Sequence, residues 1–483
     1  MPKNRKYPGV YIQEQSAFPN SIAGLPTAVP AFIGYTPQAT FRGASFLMKP
    51  VKISSFANFK AYFCWPDPRP PADPILQYAP TYYLQELAPG STTAPLISIQ
   101  RKPYALLPDP DTIYYLYNSV RLFYQNGGGD AYIVSVGTYG APSGKSIEVN
   151  QPIVNKNVQL NDLLKGLAAL KKEQEPTLYI CPEATLLSLE DNATLMQAML
   201  LQNEQMGTAM SLLDIIGARD PDPVSFMDDI TAFRENTGTR GLEYGAAYYP
   251  FIGTTITQPE EVSYTNLFGG DLPKLSSVLG ATADNNEPVY KLLKEIASPT
   301  DQDLNIAQYH QALLRLSPDY KTIIKHLLEG INLLPPSGAL AGIYNMIDNS
   351  QGVWKAPANV SIAGAISLPI HLNNQQQADL NVDAMSGKSV NAIRSFPGMG
   401  ILVWGSRTLD GHNAEGRYIP VQRTLMYIEQ SCQAALEPFV FEPNDQNTWT
   451  QIRAMIENFL TNLWKQGGRQ APSPPMLIMC FVG

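Results

Sequence analysis

The sequence predicts a multidomain protein that joins an α/β portion to an α+β portion. Three observations predict it. Helix and strand candidates alternate from residue 145 to 255, the pattern changes after residue 360, and residues 1 to about 25 read as an extended arm. At 483 residues the chain is long enough for roughly three domains with real cores. We divide it into an arm over 1–25, a first domain over 26–140, and an α/β middle domain over 141–335 with an insertion at about 256–330. An α+β C-terminal domain with its tail follows over 336–483.

The elements justify this division in order. Pro8-Gly9 punctuates the arm, and Val10-Tyr11-Ile12 is a β-prone run too short and isolated to be stable without a sheet elsewhere. A second β run spans Thr27–Tyr35. Residues 64–112 are crowded with proline and read as ordered loop. Tyr114–Tyr124 has helical spacing, Ala131–Val136 reads as a strand, Leu160–Lys172 as an amphipathic helix and Thr177–Cys181 as a buried strand. Asn192–Gly207, Met210–Ile215, Pro223–Thr237 and Gly245–Tyr249 continue the alternation, which predicts a largely parallel sheet. Residues 256–330 are polar and then helical at Tyr320–Leu328. Beyond 360, Gly400–Trp404 is a compact apolar strand, and Thr424–Leu436 sets Leu425, Ile428, Cys432 and Leu436 on one helical face. Thr448–Trp464 is the clearest helix, with Thr448 and Gln451 as a capping box and Gly467-Gly468 at its end. Its apolar stripe is Trp449, Ile452, Ile456, Phe459, Leu460 and Leu463.

Composition narrows the function. Charged residues make up 16% of the chain, below the roughly 25% usual for soluble proteins, with neutral polar residues, Pro and Gly in their place. That surface, with 25 Tyr, fits a chain that covers itself with other subunits. A net charge of −8 argues against a nucleic-acid partner. The basic start lacks an apolar stretch behind it, so it is no secretory signal, and no apolar run approaches the roughly 18 residues of a membrane span. Cys64, Cys181, Cys432 and Cys480 are scattered and read as free thiols in a reducing compartment, so the chain is expected to be made and assembled in the cytoplasm.

The catalytic motifs fail one by one. Asn126-Gly127-Gly128-Gly129-Asp130 precedes a β run and reads as a tight turn, because a phosphate loop needs a helix N-terminus behind its glycines. Gly144-Lys145-Ser146 and Gly387-Lys388-Ser389 lack the first glycine of a P-loop, which would fall at Tyr139 or Val382. His310, His326, His371 and His412 have no metal-ligand spacing, no G-x-S-x-G elbow occurs, and Asp228-Asp229 and Glu260-Glu261 read as solvated faces. We expect no catalytic, cofactor or metal residues.

Several stretches then resemble one family in its own order. YPGVYIQEQSAFPNSIAGLPTAVPAFIGYT, Tyr7–Thr36, resembles the start of contractile tail sheath proteins, the family of phage tail sheaths, R-type pyocins and extracellular contractile injection systems. LPPSGALAGIYNMIDNSQGVWKAPAN, Leu334–Asn359, resembles the segment that leads into the family's C-terminal domain. WGSRTL at Trp404–Leu409 and RYIPVQRTLMYIEQSCQAALEPFVFEPNDQNTW at Arg417–Trp449 are the most specific stretches. LLD at Leu212–Asp214 and YYP at Tyr248–Pro250 also match; residues 37–110 and 256–330 are looser.

The resemblance implies a structural polymer. Subunits of this family stack as hexameric rings, helically offset, around an inner tube, and contraction drives the tube through a target envelope. On that basis the partners are further copies of the chain, the inner tube protein, and baseplate and cap proteins, with no nucleic acid and no direct membrane insertion. The setting is a phage tail (virion) or a phage tail-like particle. Val10, Tyr11 and Ile12 become a subunit-linking strand, as strand addition would supply the missing pairing. Helices of the C-terminal domain face the tube in the family, which makes Arg453, Glu457 and Lys465 tube-facing candidates. Type VI secretion sheaths are divided between two chains, so this single chain looks more phage-like or extracellular-injection-like. The alternatives are a baseplate or tail-terminator component sharing the C-terminal domain, and a cytosolic α/β enzyme with a site built from scattered residues. The end of the sequence, GRQAPSPPMLIMCFVG from Gly468, departs from the family. It reads either as a short tail with an apolar strand at Met476–Val482, or as the product of a frameshift, since Ala471–Gly483 shifted by two nucleotides can encode a family-like continuation.

Overall fold

Apolar runs too short for helices, alternating with amphipathic stretches, assemble in the computed structural model into one large sheet with helices on both faces. The structure describes residues 21–66, 76–88, 96–298 and 305–467. Val10–Ile12 and the tail from Gly468 lie outside these residues. The described chain forms two compact units, one running from residue 26 to 423 and one made of residues up to 25 together with those from 424 onward.

The larger unit is built on a nine-stranded sheet. In chain order its strands are β1 (Pro30–Thr36), β2 (Pro50–Ile53), β3 (Ala131–Thr138), β4 (Leu178–Ile180), β5 (Met210–Asp214), β6 (Gly245–Tyr249), β7 (Val360–Ser361), β8 (Asn391–Phe396) and β9 (Gly400–Trp404). Across the sheet they run β7-β9-β8-β6-β5-β4-β1-β3-β2. The middle is parallel, with Phe32 opposite Ile133 on one side and Ile180 on the other, Leu212 opposite Ile180 and Ala246, and Tyr248 opposite Asn391. Antiparallel strands close both edges: β2 beside β3, and β9 and β7 beyond β8. Every residue of β1, β5 and β6 is buried, as expected of parallel strands covered on both faces.

Neighbouring residues of β1 point to opposite faces and so identify the layers. Phe32 meets Phe123 of α1 (Leu116–Gln125) edge-on, ring centroids 5.5 Å apart. Ile33, Val134 and Val136 lie against Gly166 of α2 (Leu160–Ala169) on the other side. The sequence spacing also holds for α3 (Leu189–Met206), which ends at left-handed Gly207, and α4 (Phe226–Asn236). α5 (Ser337–Gln351) lies beside α1, and Gly338 and Gly342 permit the close approach. A Cβ at either position would stand 2.5 Å from a backbone oxygen of α1, that of Ser119 or Phe123.

Several expectations need correction. Residues 82–108, expected as loop, form a three-stranded antiparallel sheet in which Tyr82–Glu86 and Leu96–Ile99 flank Lys102–Pro108. The prolines of the central strand stand at its second position and its end, and burial of Tyr82 and Leu84 supplies the driving force. The large sheet takes strands from both sides of residues 140 and 335. The tyrosines are largely interior: Tyr114, Tyr179, Tyr248, Tyr249, Tyr320 and Tyr344 are among the largest fully buried side chains, so much of the Tyr content serves the core. The insertion is mainly helical, comprising Leu272–Val278, Glu287–Ala297, Ile306–Leu316 and Pro318–Ile331.

The smaller unit is formed by two helices, α6 (Ile419–Leu436), which enters it at Thr424, and α7 (Gln446–Lys465), with the segment just before residue 26. Its core is Ile22, Phe439, Met455 and Phe459, against which Tyr427, Ile428, Cys432 and Leu436 pack. Leu425, expected on that face, is 41% exposed. Met455 joins Phe459 and Leu463 as the buried stripe of α7. The cap of α7 is Asp445, whose carboxylate accepts the N–H groups of Asn447 and Thr448, and not the expected Thr448.

Candidate assembly surface

In an open parallel sheet the ligand crevice lies at the carboxyl ends of the strands, where the chain reverses its direction of strand addition. Here that point is between β1 and β4; Glu183 stands there against Gly34 of β1, and Asp214 ends the neighbouring strand β5. Glu183, in the turn after β4, accepts the N–H groups of Leu116 at 2.8 Å and Tyr115 at 3.3 Å at the start of α1. Asp214, at the end of β5, accepts from the backbone and hydroxyl of Ser337 at the start of α5. Each is a buried carboxyl group at a helix N-terminus. Burial pushes both up to about 7, against the lowering pull of those N–H groups. Sequence reading missed both, since a lone acidic residue after a buried strand has no local signature.

The motifs weighed for chemistry serve structure. Asn126–Asp130 is a turn into β3, in which the Asn126 amide exchanges hydrogen bonds with the backbone of Ala363. Ser143 and Gly144 donate N–H groups to the Asp109 carboxylate, and Lys388 is buried with its ammonium on the Arg234 carbonyl. His310 bonds the Tyr320 hydroxyl at 2.8 Å. Glu261 forms a two-pronged pair with Arg121, both bonds 2.9 Å. Asp229 is half-buried, which raises it. Among the described residues no cluster of His, Cys, Asp or Glu could hold a metal ion. No described helix is long and apolar enough to cross a membrane.

What remains is surface, and the predicted tube-facing residues lie on it. Arg453 and Glu457 are one turn apart on α7 and pair at 3.2 Å, with side chains 53% and 43% exposed. They stand about 200° around the helix from Met455 and Phe459, on the side away from the core. Lys465 is exposed in the last turn, where a cation complements the helix dipole. The structure thus brings Arg453 and Glu457 together and leaves Lys465 two turns further along. The end of the arm is anchored on these helices. Leu25 donates its N–H to the buried Ser431 hydroxyl at 3.2 Å, Ile22 enters the core, and Gly24 lies under the Tyr427 ring. The same unit carries an apolar tip between α6 and α7, where Val440 is 69% and Phe441 97% exposed.

No family profile matches the chain. Over 138 residues, 28% of its length, it is 25% identical to the tail sheath protein of Vibrio phage KVP40, and that stretch takes in 20% of the phage protein. Its fold is similar to chains of two contracted particles. One is the helical sheath of the anti-feeding prophage (AFP), at 22% identity and TM-score 0.53 over 97% of this chain and 87% of that one. The other is the PVC sheath complex of an extracellular contractile injection system, at 20% identity and 0.52 over 97% and 85%. A chain of the contracted AFP baseplate is similar at 19% identity and 0.54, over 97% and 85%. These matches are structural components of contractile particles, not enzymes.

Proposed function

We propose that this chain, whose fold is that of contractile tail sheath proteins, is the repeating subunit of a contractile sheath in a phage tail or phage tail-like particle. The observation that carries the reading is the likeness of fold along nearly the whole chain to sheath chains in their contracted state. In this reading the subunits form hexameric rings stacked with a helical offset around an inner tube, assembled in the cytoplasm, and contraction moves the tube through a target envelope. The arm, with Val10, Tyr11 and Ile12, donates a strand to a neighbour, and its anchoring at Ile22 and Leu25 supports this by fixing where the arm departs. The helix bearing Arg453, Glu457 and Lys465 faces the tube, with baseplate and cap proteins at the sheath ends. Likeness to a baseplate chain favours the second reading, a baseplate component, which would give short rings in place of long tubes.

Electron microscopy of the chain produced with its neighbouring tube protein tests the proposal, with tubes of contractile length expected. Deleting residues 1–20 should leave a folded, soluble monomer that cannot polymerise; loss of the fold would show that the arm pairs within its own subunit. Exchanging the charges, Arg453→Glu with Glu457→Arg, keeps an ion pair one turn apart and should leave stability within about 0.5 kcal/mol while impairing assembly on tubes. Unchanged assembly would remove this face of the helix from the tube contact.

A further inference from the structure

Two surfaces on this chain complement each other in polarity and charge. The first is the tip between α6 and α7, where Val440 and Phe441 project into solvent. Glu437, Glu442 and Asp445 flank it in the sequence, all exposed, and none forms an ion pair among the described residues. The second is an open groove of about 440 Å³ in the larger unit, lined by Trp404, Tyr418, Ala358, Gly405 and Arg407 among others. Tyr418, 40% exposed, carries Arg407 and Arg417 over its ring at 5.6 Å and 5.2 Å. Arg394 reaches Gln377, another lining residue. No ion pair joins Arg394, Arg407 or Arg417 to a carboxylate among the described residues, and the Ser406 hydroxyl in the groove wall has no partner there.

We propose that the Val440–Phe441 tip of one copy seats in the Trp404–Tyr418 groove of a second copy. This rests on the reading of the chain as a self-assembling subunit and names one surface by which copies meet. Phe441 is 97% exposed, the most exposed of the large apolar side chains among the described residues. A fully exposed Phe gains most by burial against aromatic walls, and three carboxylates around it would face guanidinium groups that have no carboxylate of their own. Tip and groove are different surfaces, so the contact is head-to-tail and propagates from copy to copy.

The test is cross-linking in the full chain, with Cys432 and Cys480 replaced by Ala. Phe441→Cys and Ala358→Cys are made separately and together. Mixing the two single variants under mild oxidation should give disulfide dimers, and the double variant a ladder of multimers. A double variant that yields only an internally linked monomer would overturn the proposal, as would particles of sheath length without any cross-link; in the latter case the sheath reading stands. If the chain forms no particles the sheath reading falls, and dimers from the mixed single variants, or their absence at high concentration, still decide this contact. As a second measure, Phe441→Ser, at a fully exposed site, should raise the concentration needed for polymerisation about tenfold without lowering Tm. Glu442→Arg should weaken assembly and Arg407→Glu in the same chain restore it; an unchanged assembly threshold in both would overturn the proposal.

Discussion

Arg423 and Asp348 meet as a two-pronged ion pair with side chains only 5% and 3% exposed, one arm of the fork at 2.9 Å. The guanidinium also lies 4.8 Å over the Tyr344 ring, and the Tyr344 hydroxyl bonds that of Tyr248 at 2.8 Å. The pair therefore ties the start of α6 to α5 and, through the tyrosines, to β6. Arg423→Met would strand a buried carboxylate and should cost about 3–5 kcal/mol in chemical unfolding. Adding Asp348→Leu should recover most of that loss, because an apolar pair does not leave a buried charge. Failure of the double variant to recover would show that the Tyr344 stacking, not the charge, carries the effect.

Glu183 and Asp214 give the fold a pH dependence of known sign. Their folded-state values of about 7 lie above their ordinary 4.5 and 3.8, so folding binds protons across that window. The stability is fully present below the ordinary values and is lost as pH rises through 7, by at most about 3–4 kcal/mol per carboxylate. The urea midpoint should therefore be lower at pH 8 than at pH 5.5. Glu183→Gln retains an acceptor for the Leu116 N–H and should flatten the slope; an unaltered slope would mean that Glu183 does not titrate there.

Gly24 is a steric probe of the anchored segment. A Cβ at this position would stand 2.0 Å from the Tyr427 hydroxyl and 3.0 Å from the ring carbon bearing it. Gly24→Ala should therefore lower stability by about 1–2 kcal/mol, and Tyr427→Phe in the same chain should restore part of it. Equal melting of the single and double variants would show that the segment simply moves aside.

The cap of α7 separates two neighbouring residues. Asp445→Ala removes the acceptor for two N–H groups and should cost about 1 kcal/mol, while Thr448→Ala should cost little. The reverse order would restore Thr448 as the cap.

Much of the fold was legible because its strands are buried on both faces and therefore apolar throughout. Gly245–Tyr249 and Gly400–Trp404 coincide with β6 and β9, and α2, α3 and α7 follow their apolar periodicity. β8 escaped notice because its polar Asn391 and Arg394 are satisfied by partners distant in sequence, the Ala247 and Arg407 carbonyls and the Gln377 amide. The sheet at 82–108 was hidden by its prolines, and the shift of the α7 cap by three residues reflects a choice between two plausible caps that only geometry resolves. The candidate surface was legible in part. Arg453 and Glu457 are exposed as expected, but their mutual pairing and the groove beneath Tyr418 depend on residues brought together by folding.

The large sheet has a consequence for synthesis. Its strands β8 and β9 lie in the last part of the chain, and β8 docks directly beside β6. A nascent chain that has reached β6 holds a sheet with an open, apolar parallel edge, which stays bare until Trp404 has cleared the ribosome. α7 and the exposed tip at Phe441 emerge later still. The order of translation thus completes the sheet before it releases the Phe441 tip, so a half-made chain carries the arm but still lacks one of the two surfaces proposed to join copies.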